Sequence, residues 1–389
     1  MLSVLSFGRK ALGRLTVALS VVGLAACEPV SMGGGGPRID TSAPVPVALL
    51  VPSGSGQPSD DFLARSLENA ARLAMADLGG VKIDLRVYST AGQPSQASTV
   101  AAQAVSEGAQ IILGPVFAQE ANAAGLAVAA RGINVLSFSN NPDIAGGNVF
   151  VLGPTFRNTA DRLSRFAVRQ GKRRIMVVYD KTPAGEIGSA AIQAGVTAAG
   201  ATVTSVASYE FSQNGLVSAV PGIAAAAGGA DAMFLTADSA GALPLLTQLL
   251  RENGVNPATT QFIGLTRWDI PPATASLPGV QGGWFAMPDP GLYQQYQSRY
   301  AAAYGEAPPP ISGLAYDGIA AIGALVRQGK SNALTAQALT QGSGFVGVGG
   351  IFRLRSDGTN ERGLAVAQIR NSQVVVIDAA PRSFGGAGF

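Results

Sequence analysis

IILGPVFAQEANAAGLAVAARGINVLSFS, residues 111–139, sets two short apolar runs on either side of a segment of small residues at helical spacing. Each run stops on turn chemistry, Gly114-Pro115 after the first and Ser137-Phe138-Ser139 after the second. An apolar run this short, bounded by turn signals, is a strand buried on both faces. Two such strands joined by a helix are parallel, so the stretch predicts a β-α-β unit of an α/β domain.

The same alternation extends in both directions. VPVALLVP from Val45 reads as a first strand, and SDDFLARSLENAARLAMADLGG as a helix with Asp60 or Asp61 as N-cap and Gly79-Gly80 as its stop. KIDLRVYS alternates apolar and charged residues, as a half-exposed strand does. After GNVFVLGPT the pattern restarts with RRIMVVYD, then the helix AGEIGSAAIQAGVTAAG, and strand ends in ATVTSVASYEF, ADAMFLTADS and TQFIGLTRW. GWFAMPDPG then reads as a strand and turn, PGLYQQYQSRYAAAYGEAPPP as a helix stopped by prolines, and SGLAYDGIAAIGALVRQG as a second helix. Residues 351–378 carry antiparallel strands with a turn at SDGTN. The expected organisation is two Rossmann-like lobes, one of residues 45–153 and 283–330, the other of 154–282 and 331–389. A chain that crosses between lobes several times makes a hinge around a cleft.

The N-terminus predicts an exported protein. Arg9, Lys10 and Arg14 precede the apolar run LTVALSVVGL and then LAAC, ending at Cys27, which gives a signal peptide over residues 1–26. Residues 27–44, rich in Gly, Pro and Ser, form a flexible tether. Small residues before Cys27 resemble the bacterial lipobox, which implies acylation of Cys27 and a membrane contact through the lipid anchor alone. Glu28 after it implies outer-membrane rather than inner-membrane sorting.

Charge and composition exclude several functions. The chain holds 27 Lys and Arg against 24 Asp and Glu; without Arg9, Lys10 and Arg14 the balance is 24 to 24, which argues against nucleic acid as a partner. There is no histidine, and the only cysteine, Cys27, is the one the lipobox resemblance marks for acylation, so a Ser-His-Asp triad, a free thiol nucleophile and most zinc sites are excluded. GGGG at 33–36 lies in the tether, not between a strand and a helix, and is no phosphate loop. Neither an enzyme nor a bound cofactor or metal is expected.

The layout of residues 45–377 resembles the type I periplasmic binding protein fold. YDKTPAGEIG, 179–188, is similar to the corresponding loop of leucine and amino-acid binding proteins of ABC importers, in which the place of Ala184 carries a large ring. The strand ends GP and LSFS most resemble the Lpo-type penicillin-binding protein activators, outer-membrane lipoproteins that stimulate peptidoglycan synthesis. The candidate cleft residues are Ser53, Gly114, Pro115, Phe117, Ser137, Ser139, Asn140 and Tyr316 for the first lobe, with Tyr179, Asp180, Asp238 and Arg267 for the second. Open α/β sheets bind ligands at such strand ends. The same groups would also serve as helix and turn caps, as salt-bridge partners or, for Tyr179 and Tyr316, as core.

Three positions depart from the amino-acid-binding pattern. Ala118 stands where the resemblance implies a serine for the ligand carboxylate, Thr266 where it implies an acid for the ammonium, and Ala184 where it implies the covering ring. Each lost charge-assisted contact costs about 1.5–3 kcal/mol. The expectation is therefore a lipoprotein that activates a bifunctional penicillin-binding protein, with a solute-binding lipoprotein of an ABC importer, taking an atypical small molecule or wall fragment, as the alternative.

Overall fold

A computed structural model describes residues 36–385. Cys27 and the signal segment lie outside the described residues. The first half runs β1 (Val45–Val51), α1 (Pro58–Ala76), β2 (Ile83–Ser89), α2 (Pro94–Ser106), β3 (Ile111–Leu113), α3 (Ala118–Val128), β4 (Val135–Ser137) and β5 (Val149–Val151). These strands form one parallel sheet in the order β2-β1-β3-β4-β5. The three-residue β3 and β4 are fully buried inside it, as their apolar runs predict, whereas β2 is an edge strand with Val87 at the surface.

The chain then leaves this sheet. After β5 come α4 (Phe156–Arg169), β6 (Arg174–Asp180), α5 (Pro183–Ala198), β7 (Thr202–Tyr209), α6 (Gln213–Ala226), β8 (Ala232–Leu235), α7 (Leu243–Glu252), β9 (Gln261–Gly264) and β10 (Trp284–Met287). Next follow α8 (Pro290–Tyr304), α9 (Gly313–Val326), α10 (Ala336–Leu339), the antiparallel sheet β11 (Phe345–Gly347), β12 (Gly350–Leu354) and β13 (Asn360–Arg362), and finally β14 (Ala365–Arg370) and β15 (Gln373–Asp378). The second sheet has the order β15-β14-β10-β9-β8-β6-β7, parallel from β10 to β7 and antiparallel at β14 and β15. Two lobes of the type I periplasmic binding protein fold result, joined by crossings after β5, β10 and β13.

Several expected boundaries shift. Trp284–Met287 was expected in the first lobe, but it pairs with β9 and β14 and belongs to the second sheet. Phe345, Val348, Phe352 and Leu354, expected in the second lobe, share one apolar core with β1, α1 and α9 of the first. Sheet membership is a long-range pairing, and a local apolar run carries no sign of its partner. Helix α1 starts one turn earlier than expected, with Gln57 at the N-cap and Pro58 behind it. Asp60 and Asp61 instead sit in its first turn and brace the preceding loop, accepting from Ser55 Oγ at 2.7 Å and Gly54 N at 3.1 Å. Helix α8 stops at Gly305, whose φ of 76° closes it before the prolines are reached.

Candidate functional site

The carboxyl ends of β6, β8 and β9 open into a pocket of the second lobe. Asp180 and Asp238 line it with Thr182, Thr236, Thr266 and Phe211. Asp180, the last residue of β6, is buried and accepts from the Thr182 hydroxyl, which also caps α5 by accepting from Gly185 N at 3.1 Å. Thr236 Oγ1 donates to the other oxygen of Asp180 at 3.2 Å. A Cβ on Gly185 would lie 2.1 Å from the Asp180 carbonyl oxygen, so the loop can turn this tightly only with glycine there. Asp238 accepts from Gly241 N at 2.6 Å and carries the chain toward α7. Phe211 and Asp238 both border the space a side chain on Gly241 would fill, within 3.4 Å of it. Tyr209, at the end of β7, is only 2% exposed and its hydroxyl has no hydrogen-bond partner among the described residues. Burial, then the charges of Asp180 and Asp238, push its phenol up.

The strand ends of the first lobe are closed in on themselves. Ser53 Oγ and Ser89 Oγ share a hydrogen bond of 2.6 Å across β1 and β2. Thr90 Oγ1 lies 3.1 Å from both the Val51 carbonyl and Glu120 Oε1. Glu120, in the first turn of α3, is 1% exposed, its Oε2 has no partner among the described residues, and burial pushes its carboxyl up against the Thr90 hydrogen bond. Gly114 holds φ 87° because a Cβ there would meet the Leu50 carbonyl oxygen at 2.3 Å; its close approach is to a neighbouring strand. Pro115 is buried, and its carbonyl accepts from Ser137 Oγ at 3.1 Å and Phe138 N at 3.0 Å. Ser137 Oγ in turn accepts from Ser139 N, and Ser139 Oγ from Asn141 N. Phe117, at the start of α3, and Asn140 are exposed.

Of the expected residues, Asp180 and Asp238 are brought together. Arg267 is taken by Asp269, Nε to Oδ1 at 2.7 Å with a second contact beside it. Tyr179 is half-buried within β6. Tyr316 donates to Asp77 at 2.5 Å. Asp77 caps the far end of α1, and a helix of 19 residues sets it about 28 Å from the loop carrying Ser53. Tyr316 therefore belongs to the packing of α1, α8 and α9. Thr182, Thr236, Phe211 and Tyr209 were not anticipated, although Thr236 stands directly after the apolar run of β8 as Ser137 ends that of β4.

A two-lobed α/β binding protein with a polar pocket at its strand ends is the class these features define. The model of the periplasmic binding protein family matches residues 44–373, and the chain belongs to that family. Three solved structures show the same fold at low identity. A provisionally assigned branched-chain amino acid ABC transporter protein from Rhodospirillum rubrum is 20% identical with a TM-score of 0.73, over 86% of this chain and 100% of that one. An ABC transporter substrate-binding protein from Desulfitobacterium hafniense, in complex with Leu, is 19% identical with a TM-score of 0.61, over 86% and 100%. A solute-binding protein from Rhodopseudomonas palustris, in complex with 3,4-dihydroxybenzoic acid, is 17% identical with a TM-score of 0.56, over 87% and 98%. No curated protein matches the chain.

Proposed function

We propose that the protein is the solute receptor of an ABC importer, held in the periplasm by a lipid on Cys27. The observation that carries this reading is the pocket at the ends of β6, β8 and β9, lined by Asp180, Thr236, Thr266 and Phe211. Solved relatives of the same fold, named as ABC transporter substrate-binding proteins, support it, one being bound to Leu and another to an aromatic acid. Three crossings between the lobes allow closure over a ligand. Thermal denaturation against a panel of amino acids, aromatic acids, amines and wall fragments tests it, because a ligand at 100 times its dissociation constant adds about 2.7 kcal/mol. A panel without any shift counts against the reading.

A second reading is the activator of a bifunctional penicillin-binding protein, anchored to the outer membrane. It is favoured by the inward-turned hydroxyls of Ser137 and Ser139, which leave the LSFS strand end with a structural task. Synthase rates measured with and without the protein separate the two readings, since a receptor leaves them unchanged.

A further inference from the structure

We propose that the pocket of the second lobe takes a protonated amine, held between Asp180 and Asp238 against the Phe211 ring, on a ligand that carries no carboxylate. The inference rests on the solute-receptor reading and names its ligand class. Two carboxylates line the pocket, and among the described residues no Lys or Arg lines it and none pairs with either acid. The bases nearest in sequence are already committed. Lys181 Nζ lies 2.7 Å from Glu210 Oε1, and Arg267 is bound to Asp269. Asp180 receives only neutral hydroxyls, from Thr182 and Thr236, and a buried carboxylate satisfied by neutral donors alone still lacks a counter-charge. A ligand cation supplies it.

Two further observations locate the cation. The Tyr209 hydroxyl, buried in the core and not part of the pocket lining, is in the field of both acids, so the two charges act on one region of the lobe. Phe211 is 59% exposed and lines the same pocket as Asp238, which supplies an aromatic ring for an ammonium held by the acid. Ala184 lines the pocket with only a methyl group, which leaves room for the rest of the ligand.

The first lobe argues against a carboxylate on the same molecule. Ser53, Ser89, Ser55 and Thr90 spend their hydroxyls on one another, on Asp60 and on Glu120. Beside the start of α3, where free N–H groups would favour an anion, Glu120 already sits with an oxygen unpaired. A zwitterion would find an ammonium site in the second lobe but no free hydroxyl for its carboxylate among these groups of the first.

Isothermal titration calorimetry of the purified protein with putrescine, spermidine, leucine and benzoate tests this. The expected result is binding of an amine, weakened about tenfold or more by Asp238→Asn and retained by Asp238→Glu. Amine affinity should also fall as NaCl rises from about 50 to 300 mM. Because Asp180 holds its loop together, Asp238 is the informative position, and circular dichroism checks that the variants fold. Leucine or benzoate binding at least as tightly as either amine overturns the ligand class and leaves the receptor reading standing. Binding by no compound also overturns the amine, and native mass spectrometry for a co-purified small molecule then judges the receptor reading separately.

Discussion

Arg362 Nη1 lies 3.1 Å from Asp317 Oδ2, in a pair whose side chains are only 10% and 2% exposed. Asp317 is in α9 of the first lobe, and Arg362 ends β13, just before the third crossing. Arg362 also donates to the Leu152 carbonyl in the first crossing, and Asn360 Nδ2 donates to the carbonyls on either side, Val151 at 2.7 Å and Gly153 at 2.9 Å. Two of the three crossings are thereby tied to each other and to a lobe core.

Replacing one member of this pair should be costly. Burial outweighs the attraction of Arg362 and the Val348 N–H bond, pushing the Asp317 carboxyl up. The variant Asp317→Ala leaves Arg362 buried without its counter-charge and should lose about 3–5 kcal/mol in urea unfolding. A double change of Asp317→Leu and Arg362→Met should recover much of that loss, since it removes both buried charges.

At the amino ends of β6 and β8, Asp231 accepts from the Arg174 side chain and from the N–H groups of Arg173 and Arg174, which hold its carboxyl down at about 2. Its folded value lies below the unfolded one of 3.8. The stabilisation is therefore present in full above that value and is lost as pH falls toward 2. With Arg174 well exposed, solvent screening leaves it worth about 1 kcal/mol. Asp231→Asn should cost that amount at pH 7, and the difference from the parent should shrink as unfolding is followed down to pH 2.

Glu120 should behave in the opposite sense. Burial raises its folded value above the unfolded 4.5, so its contribution is complete below that pH and is lost as pH rises through the folded value. Glu120→Gln keeps an acceptor for Thr90 and abolishes the charge. Denaturation curves should show the variant gaining on the parent as pH rises above 4.5.

The Tyr209 hydroxyl, buried without a partner, costs stability in the ligand-free protein. Tyr209→Phe should raise that stability by about 1 kcal/mol in urea unfolding. A loss instead would mean that the hydroxyl has a partner within the chain.

Much of the architecture was legible because it is written locally. The apolar runs Ile111–Leu113 and Ile133–Leu136 and the restart at Arg173 are each readable within about ten residues, and they gave the parallel sheets and the two lobes. The candidate site was legible only in part. Asp180 ends β6 and Asp238 follows β8 by three residues, so their position follows from the alternation, but Phe211 lines the pocket from beyond β7, the edge strand beside β6.

Sequence alone determined the succession of strands and helices and which residues stand at strand ends, because side-chain periodicity and turn chemistry act over a few residues. Only the tertiary structure decided that Trp284–Met287 joins the second sheet and that Phe345 and Phe352 join the first core. It also decided that Arg267 is spent on Asp269, that Ser137 and Ser139 turn inward, and that Tyr316 packs at the far end of α1. Those outcomes depend on which groups come within hydrogen-bonding reach once distant segments pack, and spacing along the chain does not encode that.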